Sequence, residues 1–173
     1  MSNALTSWPD YDLERTSVRV VLLASSGRFL LFETIDPGMP TLGVWWELPG
    51  GGMEPGEDVI ATAVREVAEE TGFVVSNSEV EQSLWRRSAT YLRRGIRTLQ
   101  HEHVVVIRWT EPETEPARDA QTAEELAAYI GYRWWSLQEL AESRERFFPG
   151  RLAELLPQML AGEPIDESFE HWN

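Results

Sequence analysis

The chain has 173 residues, 42% of them hydrophobic, and a formal net charge of −14 at pH 7. Its length suits a single domain with a proper core, and its acidity argues against a nucleic-acid partner, because such binding depends on neutralising phosphates. It contains no cysteine, which excludes disulfides, zinc–thiolate sites and thiol nucleophiles.

No apolar run approaches the roughly 18 residues of a membrane span. The N-terminal segment MSNALTSWPDYDLERTS also lacks the basic and apolar parts of a secretory signal. We therefore expect no membrane contact and a cytoplasmic location. The polar character of both ends predicts an N-terminal arm over residues 1–15, one domain over residues 16–162 and a C-terminal tail over residues 163–173.

The first predicted element is a β-hairpin. Residues 17–24 and 28–33 are rich in valine, leucine and phenylalanine and flank the turn Ser25-Ser26-Gly27. Residues 34–44 indicate a loop, and residues 45–49 a short strand that leads into three consecutive glycines. Such a glycine run is costly to order, so it indicates a sharp turn that approaches another group closely.

The next predicted element is a helix over residues 58–71, with Gly72 at its left-handed C-terminal cap. Its glutamates lie three and four residues apart, which places them on one side; they are Glu66, Glu69 and Glu70. A separate stripe has the spacing of a buried face and consists of Ile60, Val64, Val67 and Thr71.

Two interpretations of the three glutamates remain open on the helix alone. They could form a solvated acidic face on which Arg65 pairs with Glu69. They could instead bind a hard divalent cation such as Mg²⁺, which prefers carboxylate and water oxygens. The adjacent glycine run favours the cation site.

Later elements alternate between strands and helices. Residues 79–92 and 99–109 predict two strands around a turn near 93–95, and residues 110–125 an acidic loop with a helical turn near 123–128. A strand is predicted over residues 132–135, followed by a capping box formed by Ser136 and Glu139. A turn is predicted over residues 147–150 and a helix over residues 151–161, which Pro157 should kink or divide. This order predicts a mixed sheet with helices on its faces, of the α/β or α+β class.

Five arginines cluster in the region of the two later strands. They are Arg86, Arg87, Arg93, Arg94 and Arg97. They either lie on the solvent-exposed face of a hairpin or bind substrate phosphates, whose oxygens match the geometry of the guanidinium group. The pattern does not choose among the five.

The stretch from Gly51 to Phe73 resembles the signature of the Nudix hydrolases. It reads Gly51, five residues, Glu57, seven residues, and then REVAEETGF, which ends at Phe73. Every defined position of that signature matches. The preceding Trp-Glu-Leu-Pro-Gly-Gly, over residues 46–51, also resembles the segment that commonly comes before it.

The resemblance implies a Nudix-type α/β/α sandwich with a mixed β-sheet. It implies hydrolysis of a phosphoanhydride bond in a nucleoside diphosphate linked to another group, with Mg²⁺, or Mn²⁺ in its place, as cofactor. It implies Glu66, Glu69 and Glu70 as metal ligands, joined by a backbone carbonyl of Gly50 or Gly51. Either Glu66 or Glu69 would serve as, or orient, the base.

The resemblance also assigns supporting roles. Arg65 would position the glutamates and Glu57 would brace the loop. A carboxylate from outside the signature often joins the site in this family, and the candidates are Glu102, Glu124 and Glu125. The implied partner is a small nucleoside diphosphate or polyphosphate, and homodimers are common in the family.

Two alternatives belong to other classes of protein. A non-catalytic Nudix-like nucleotide-binding or regulatory module often loses the signature glutamates, whereas all of them are present here. An isomerase on the same fold uses a cysteine, which this chain lacks. The identity of the nucleotide does not follow from the signature, since specificity lies in variable loops.

Overall fold

The computed structural model describes residues 9–93 and 95–173, and it contains ten strands and four α-helices in those ranges. The strands are β1 Leu13–Ala24, β2 Phe29–Ile35, β3 Val44–Glu47, β4 Gly50–Gly52, β5 Trp85–Arg93, β6 Ile96–Trp109, β7 Tyr129–Trp135, β8 Phe147–Phe148, β9 Ile165–Asp166 and β10 Glu170–His171. The helices are α1 Val59–Thr71, α2 Ala123–Ala128, α3 Leu137–Glu142 and α4 Leu152–Leu160.

The strands form one mixed sheet in the order β10-β5-β6-β1-β2-β3-β8, with β4 on β1, β7 on β2 and β9 on β5. The long parallel pair is β1 with β6, which match from Leu13 opposite Thr98 to Ala24 opposite Trp109. Antiparallel partners surround this pair, namely β5 on β6 and β4 on β1. The glycine strand β4 is therefore held directly against the centre of the sheet.

Each face of the sheet carries its own apolar core. Successive residues of a strand point to opposite faces, so Val20 of β1 packs with Val67 of α1 while Val21 packs with Leu140 of α3 and Leu156 of α4. Helix α1 thus covers one face, and helices α3 and α4 cover the other. The expected layered α/β architecture with a mixed sheet is confirmed.

Helix α1 begins and ends where local signals predict. The Asp58 side chain accepts a hydrogen bond of 2.8 Å from the N–H of Ala61, and Gly72 has φ of 70° with its N–H bonded to the carbonyl of Ala68 at 2.9 Å. The expected buried stripe is wrong at Ile60, which is 38% exposed. The face toward the sheet includes Glu66 instead.

Several boundaries differ from the sequence-based expectations. Strand β1 begins at Leu13, inside the expected arm, because it pairs with β6 from that residue onward. The strand expected over residues 79–92 begins only at Trp85, because Glu79 ends a 3₁₀ turn over residues 77–79 and residues 80–84 lie outside β5. Pro157 lies inside α4 without dividing it. Residues 1–8 of the expected arm lie outside the described residues.

The C-terminal tail is more ordered than its polar composition suggests. It contains β9 and β10, both of which lie parallel to β5. Strand β8 replaces part of the expected turn at residues 147–150 and pairs with β3. Among the helices described here, none is long and apolar enough to cross a membrane.

Candidate active site

The glycine loop approaches α1 so closely that side chains are excluded. Gly50 has φ of 134°, and its N–H donates a hydrogen bond of 2.7 Å to Oε2 of Glu70. A Cβ atom on Gly51 would lie only 2.5 Å from Oε1 of Glu66. The glycine run therefore makes the close approach that its sequence predicts, and the groups it approaches are the carboxylates of α1.

Arg65 ties the loop and the helix together. Its guanidinium donates to Glu57 through Nε at 2.7 Å and Nη2 at 3.0 Å, to Glu66 at 2.8 Å and to Glu69 at 3.0 Å. Nη2 also donates to the Gly52 carbonyl at 2.8 Å. Arg65 first, and then the backbone N–H of Glu54, lower the pKa of Glu57 to about 2. Glu57 is thus held ionised as the brace of the loop.

Two of the three helix glutamates are in environments that disfavour their charge. Burial, and then repulsion from Glu66, raise the pKa of Glu70 well above its ordinary value. Burial also raises the pKa of Glu66, against the opposing effect of Arg65. Glu69 is more exposed, with 47% of its side chain accessible. A positive charge between Glu66 and Glu70 would relieve the penalty.

The carboxylates of α1 bond to protein groups and do not converge on one point. Over residues 9–93 and 95–173, no three histidine, aspartate or glutamate side chains are arranged to hold a metal ion as they stand. Glu66 and Glu69 face Arg65, and Glu70 faces the N–H of Gly50. Their oxygens are nevertheless the donor atoms that Mg²⁺ prefers.

A cleft of about 270 Å³ opens beside these groups. Its wall combines acidic, basic and aromatic side chains. The lining residues include Glu47, Glu66, Glu70, Arg15, Arg19, Arg93, Phe32, Trp45, Tyr91, Tyr129, Phe148 and Trp172. A mixed wall of this kind suits a ligand with one anionic and one flat apolar part.

The five clustered arginines separate in the structure. Arg93 lines the cleft. Arg87 is buried among three carboxylates, Arg86 is exposed away from the cleft, and Arg97 donates to the backbone oxygen of Asn173 at 2.6 Å. Arg94 lies outside the described residues.

Arg15 and Arg19 also line the cleft, although the sequence-based prediction did not include them. Both lie on β1, and their even spacing places them on one face of a strand. This spacing could have identified them, but the strand predicted from apolar residues begins only at residue 17.

The three candidate extra carboxylates also separate. Glu125 lines the cleft, as does Glu47, which was not among the candidates. Glu124 lies on α2 but not among the lining residues. Glu102 is buried between Arg19, at 2.9 Å, and Arg87, at 2.6 Å. Although burial opposes it, these two arginines lower the pKa of Glu102.

Arg19 links this buried pair to the glycine loop. Its Nη1 donates to the carbonyls of Leu48 and Gly50, both at 3.3 Å. Burial alone would lower the pKa of Arg19, but Glu102 and Glu47 outweigh burial and raise it. Arg19 is therefore a fixed positive charge beside the loop.

The fold, the glycine loop and the acid-bearing helix define the class of protein. Residues 13–158 match the model of the NUDIX domain family, and the chain belongs to that family. Together with the curated relatives below, this membership supports a hydrolase that acts on phosphorus-containing anhydrides.

Among curated proteins, the chain is similar to RNA pyrophosphohydrolases. It is 41% identical over 66 residues to the protein of Dinoroseobacter shibae, a match that covers 38% of this chain and only 39% of that relative. It is 31% identical over 138 residues to the protein of Rhodopseudomonas palustris, which covers 73% of this chain and 76% of the relative.

Solved structures share the fold. A MutT protein from Methanosarcina mazei matches with a TM-score of 0.55 and 20% identity, covering 77% of this chain and 84% of that one. An Ap4A hydrolase from C. elegans matches with a TM-score of 0.54 and 18% identity, covering 86% of this chain and 98% of that one. At such identities the likeness concerns the fold alone.

Proposed function

We propose that this chain uses Mg²⁺, or Mn²⁺ in its place, to hydrolyse a phosphoanhydride bond in a nucleoside diphosphate linked to another group. The observation that carries the proposal is that Glu66 and Glu70, both disfavoured as ions, line one cleft with arginines and aromatic rings. The alternative, a nucleotide-binding module without catalysis, would not require the tight contact of Gly51 with Glu66.

The residues that would hold the metal are Glu66, Glu69 and Glu70, with a backbone carbonyl of Gly50 or Gly51. Their oxygens fit a hard divalent cation. Glu66 is buried and Glu70 half-buried, and a cation would neutralise their charges. A metal held there would supply two kinds of chemistry: it would screen the negative charge of the diphosphate, and it would lower the pKa of the attacking water.

The remaining residues of the site would orient the reaction. Arg65 holds Glu66 and Glu69 in place, and Glu57 holds Arg65. Either Glu66 or Glu69 would serve as, or orient, the base that takes the proton of the attacking water. Glu125 and Glu47 are the cleft carboxylates from outside the helix that could assist.

The phosphate oxygens would be bound by the arginines of the cleft. Arg93 comes from the predicted cluster, and Arg15 and Arg19 come from β1. The Nε of Arg15 donates a hydrogen bond of 2.7 Å to the neutral side chain of Gln100. The Nε of Arg19 instead donates to the carboxylate of Glu102. We therefore assign Arg15 and Arg93 to the substrate and Arg19 to the loop.

The substrate we propose is a small nucleotide. The aromatic rings of the cleft suit a nucleobase, and the net charge of −14 disfavours extended contacts to a polynucleotide. The curated relatives carry RNA in their names, so short RNA with a 5′-triphosphate belongs in the substrate panel beside free nucleotides.

The test measures phosphate or pyrophosphate release from nucleoside triphosphates, diphosphate-linked nucleotides and 5′-triphosphorylated RNA. Each compound is incubated with Mg²⁺ and with EDTA, on the wild type and on Glu70→Gln. We expect activity on one class of compound, lost with EDTA and reduced about 100-fold or more in the variant, which corresponds to roughly 3 kcal/mol of transition-state stabilisation. Wild-type turnover by Glu70→Gln would overturn the metal assignment.

A further inference from the structure

The segment after residue 162 lies beyond residues 13–158, which match the family, yet it is built into the sheet. Ile165 of β9 pairs with Trp85, and Glu170 of β10 pairs with Ala89. The N–H of Trp172 then donates to the carbonyl of Thr90 at 2.9 Å. The segment therefore follows β5 toward the cleft.

Buried ion pairs fix the position of this segment. Glu167 accepts from the indole N–H of Trp85 at 2.9 Å and pairs with Nε of Arg87 at 3.1 Å. Glu170 pairs with Nη2 of the same arginine. Arg87 is fully buried and also bound to Glu102. Since burying a charge is costly unless it is well paired, the ion pairs of Glu167 and Glu170 with Arg87 hold the segment in one place.

The same geometry sets the direction of Trp172. Residues two apart in an extended chain share a face, so Trp172 lies on the side of Glu170, toward Arg87 and the cleft. Its ring centroid is 4.8 Å from that of Phe148 and 6.0 Å from that of Trp45, and the Arg146 guanidinium lies 4.0 Å from it. Trp172 remains half-buried and lines the cleft.

A short series of contacts connects the Trp172 ring to the proposed metal ligands. Phe148 lies between the two, with the guanidinium of Arg19 at 5.1 Å from its ring, and Arg19 bonds the carbonyl of Gly50 beside Glu70. A nucleotide whose phosphates lie at Glu66 and Glu70 would place its base among the aromatic rings.

We propose that Trp172 is a specificity-determining residue that contacts the base of the substrate, an inference that rests on the proposed function. Stacking on an indole is available to every base, so this contact selects a nucleoside over bare polyphosphate more than one base over another. The segment that carries Trp172 thereby supplies a wall of the binding site from outside the matched domain.

The test compares two constants in each variant. One is the KM of the preferred nucleotide, and the other is the inhibition constant of inorganic tripolyphosphate, which has phosphoanhydrides but no base. We expect Trp172→Ala to raise the KM at least about fivefold, with kcat and the tripolyphosphate constant unchanged. Trp172→Phe, which keeps a flat ring, should recover most of the difference.

Phe169→Ala is the matched control, because Phe169 lies on the same segment, contacts His171 at 4.8 Å between ring centroids and does not line the cleft. An unchanged KM in Trp172→Ala, or an equal rise in both constants or in Phe169→Ala, would overturn the proposal.

If no compound is hydrolysed by the wild type, the proposed function fails separately. Calorimetric binding of ATP and GTP with Mg²⁺ to wild type, Trp172→Ala and Phe169→Ala then tests Trp172 alone. Weaker binding only in Trp172→Ala supports the base contact, and equal binding overturns it.

Discussion

Gly51 and Glu66 touch: a Cβ on the glycine would lie 2.5 Å from Oε1 and 2.7 Å from Cδ of the carboxylate. No side chain fits between the loop and the helix at this point. The contact places backbone of the glycine loop directly beside a proposed metal ligand, so the loop and Glu66 can act on one cation.

Gly51→Ala should therefore displace the Glu66 carboxylate without unfolding the protein, since a flexible side chain can move. We expect activity to fall about 100-fold, the scale of a misplaced reacting group, and the melting temperature to stay within a few degrees. Gly131→Ala is the control, because its Cβ would meet only Oε2 of Glu33 at 3.8 Å. Full activity in Gly51→Ala would show that the close approach is dispensable.

Glu70→Gln should separate metal binding from folding. In EDTA the variant should melt at or above the temperature of the wild type, because burial raises the pKa of Glu70 and the amide keeps an acceptor for the Gly50 N–H. Saturating Mg²⁺, at about 100 times its dissociation constant, would stabilise the wild type by about 2.7 kcal/mol.

That stabilisation corresponds to a rise in melting temperature of about 5 °C or more for a chain of this size, measured by calorimetry. Glu70→Gln should gain little of it. Glu81→Gln, the same chemical change at an exposed residue, is expected to respond to Mg²⁺ as the wild type does. An equal Mg²⁺ shift in Glu70→Gln would remove that residue from the ligand set.

Local sequence signals were enough to predict α1 and its surroundings. Asp58 and Gly72 cap the helix through atoms three and four residues away, and the pairing of Arg65 with Glu69 follows from helical spacing. The prediction of which face of the helix is buried was less accurate, because Ile60 is exposed and Glu66 is buried.

Long-range pairing was not predictable in the same way. The polar tail gives no periodic signal, yet Glu170 pairs with Ala89 and carries Trp172 to the cleft. The burial of Arg87 and Glu102 likewise depends on partners from β1 and the tail. Whether an arginine meets substrate or a buried carboxylate is decided by these tertiary contacts, which the arginine cluster alone does not specify.

Glu102 should be a large contributor to stability. Its side chain is fully buried between Arg19 and Arg87, and removing one member of a buried ion pair leaves uncompensated charge. We expect Glu102→Gln to lower the free energy of unfolding by about 3 kcal/mol, measured by urea denaturation. Glu81→Gln breaks the exposed pair with Arg108 and should cost at most about 1 kcal/mol. Equal losses would contradict the buried network.

Glu139 makes stability depend on acid pH. The backbone N–H of Ser136, and then Arg28 and Arg133, lower its pKa from 4.5 to about 2. A carboxyl group whose pKa is lower in the folded state stabilises that state when the pH is above the pKa of the unfolded state. This contribution disappears as the pH falls from about 4.5 toward 2. Glu139→Gln should therefore be less stable than the wild type at pH 7, and this difference in stability should narrow between pH 4.5 and pH 2.

Urea midpoints across this range measure the difference in stability. Glu142→Gln, on the same helix and bonded to Gln138, is the control. A difference of constant size would show that the hydrogen bonds of Glu139 do not depend on its ionisation.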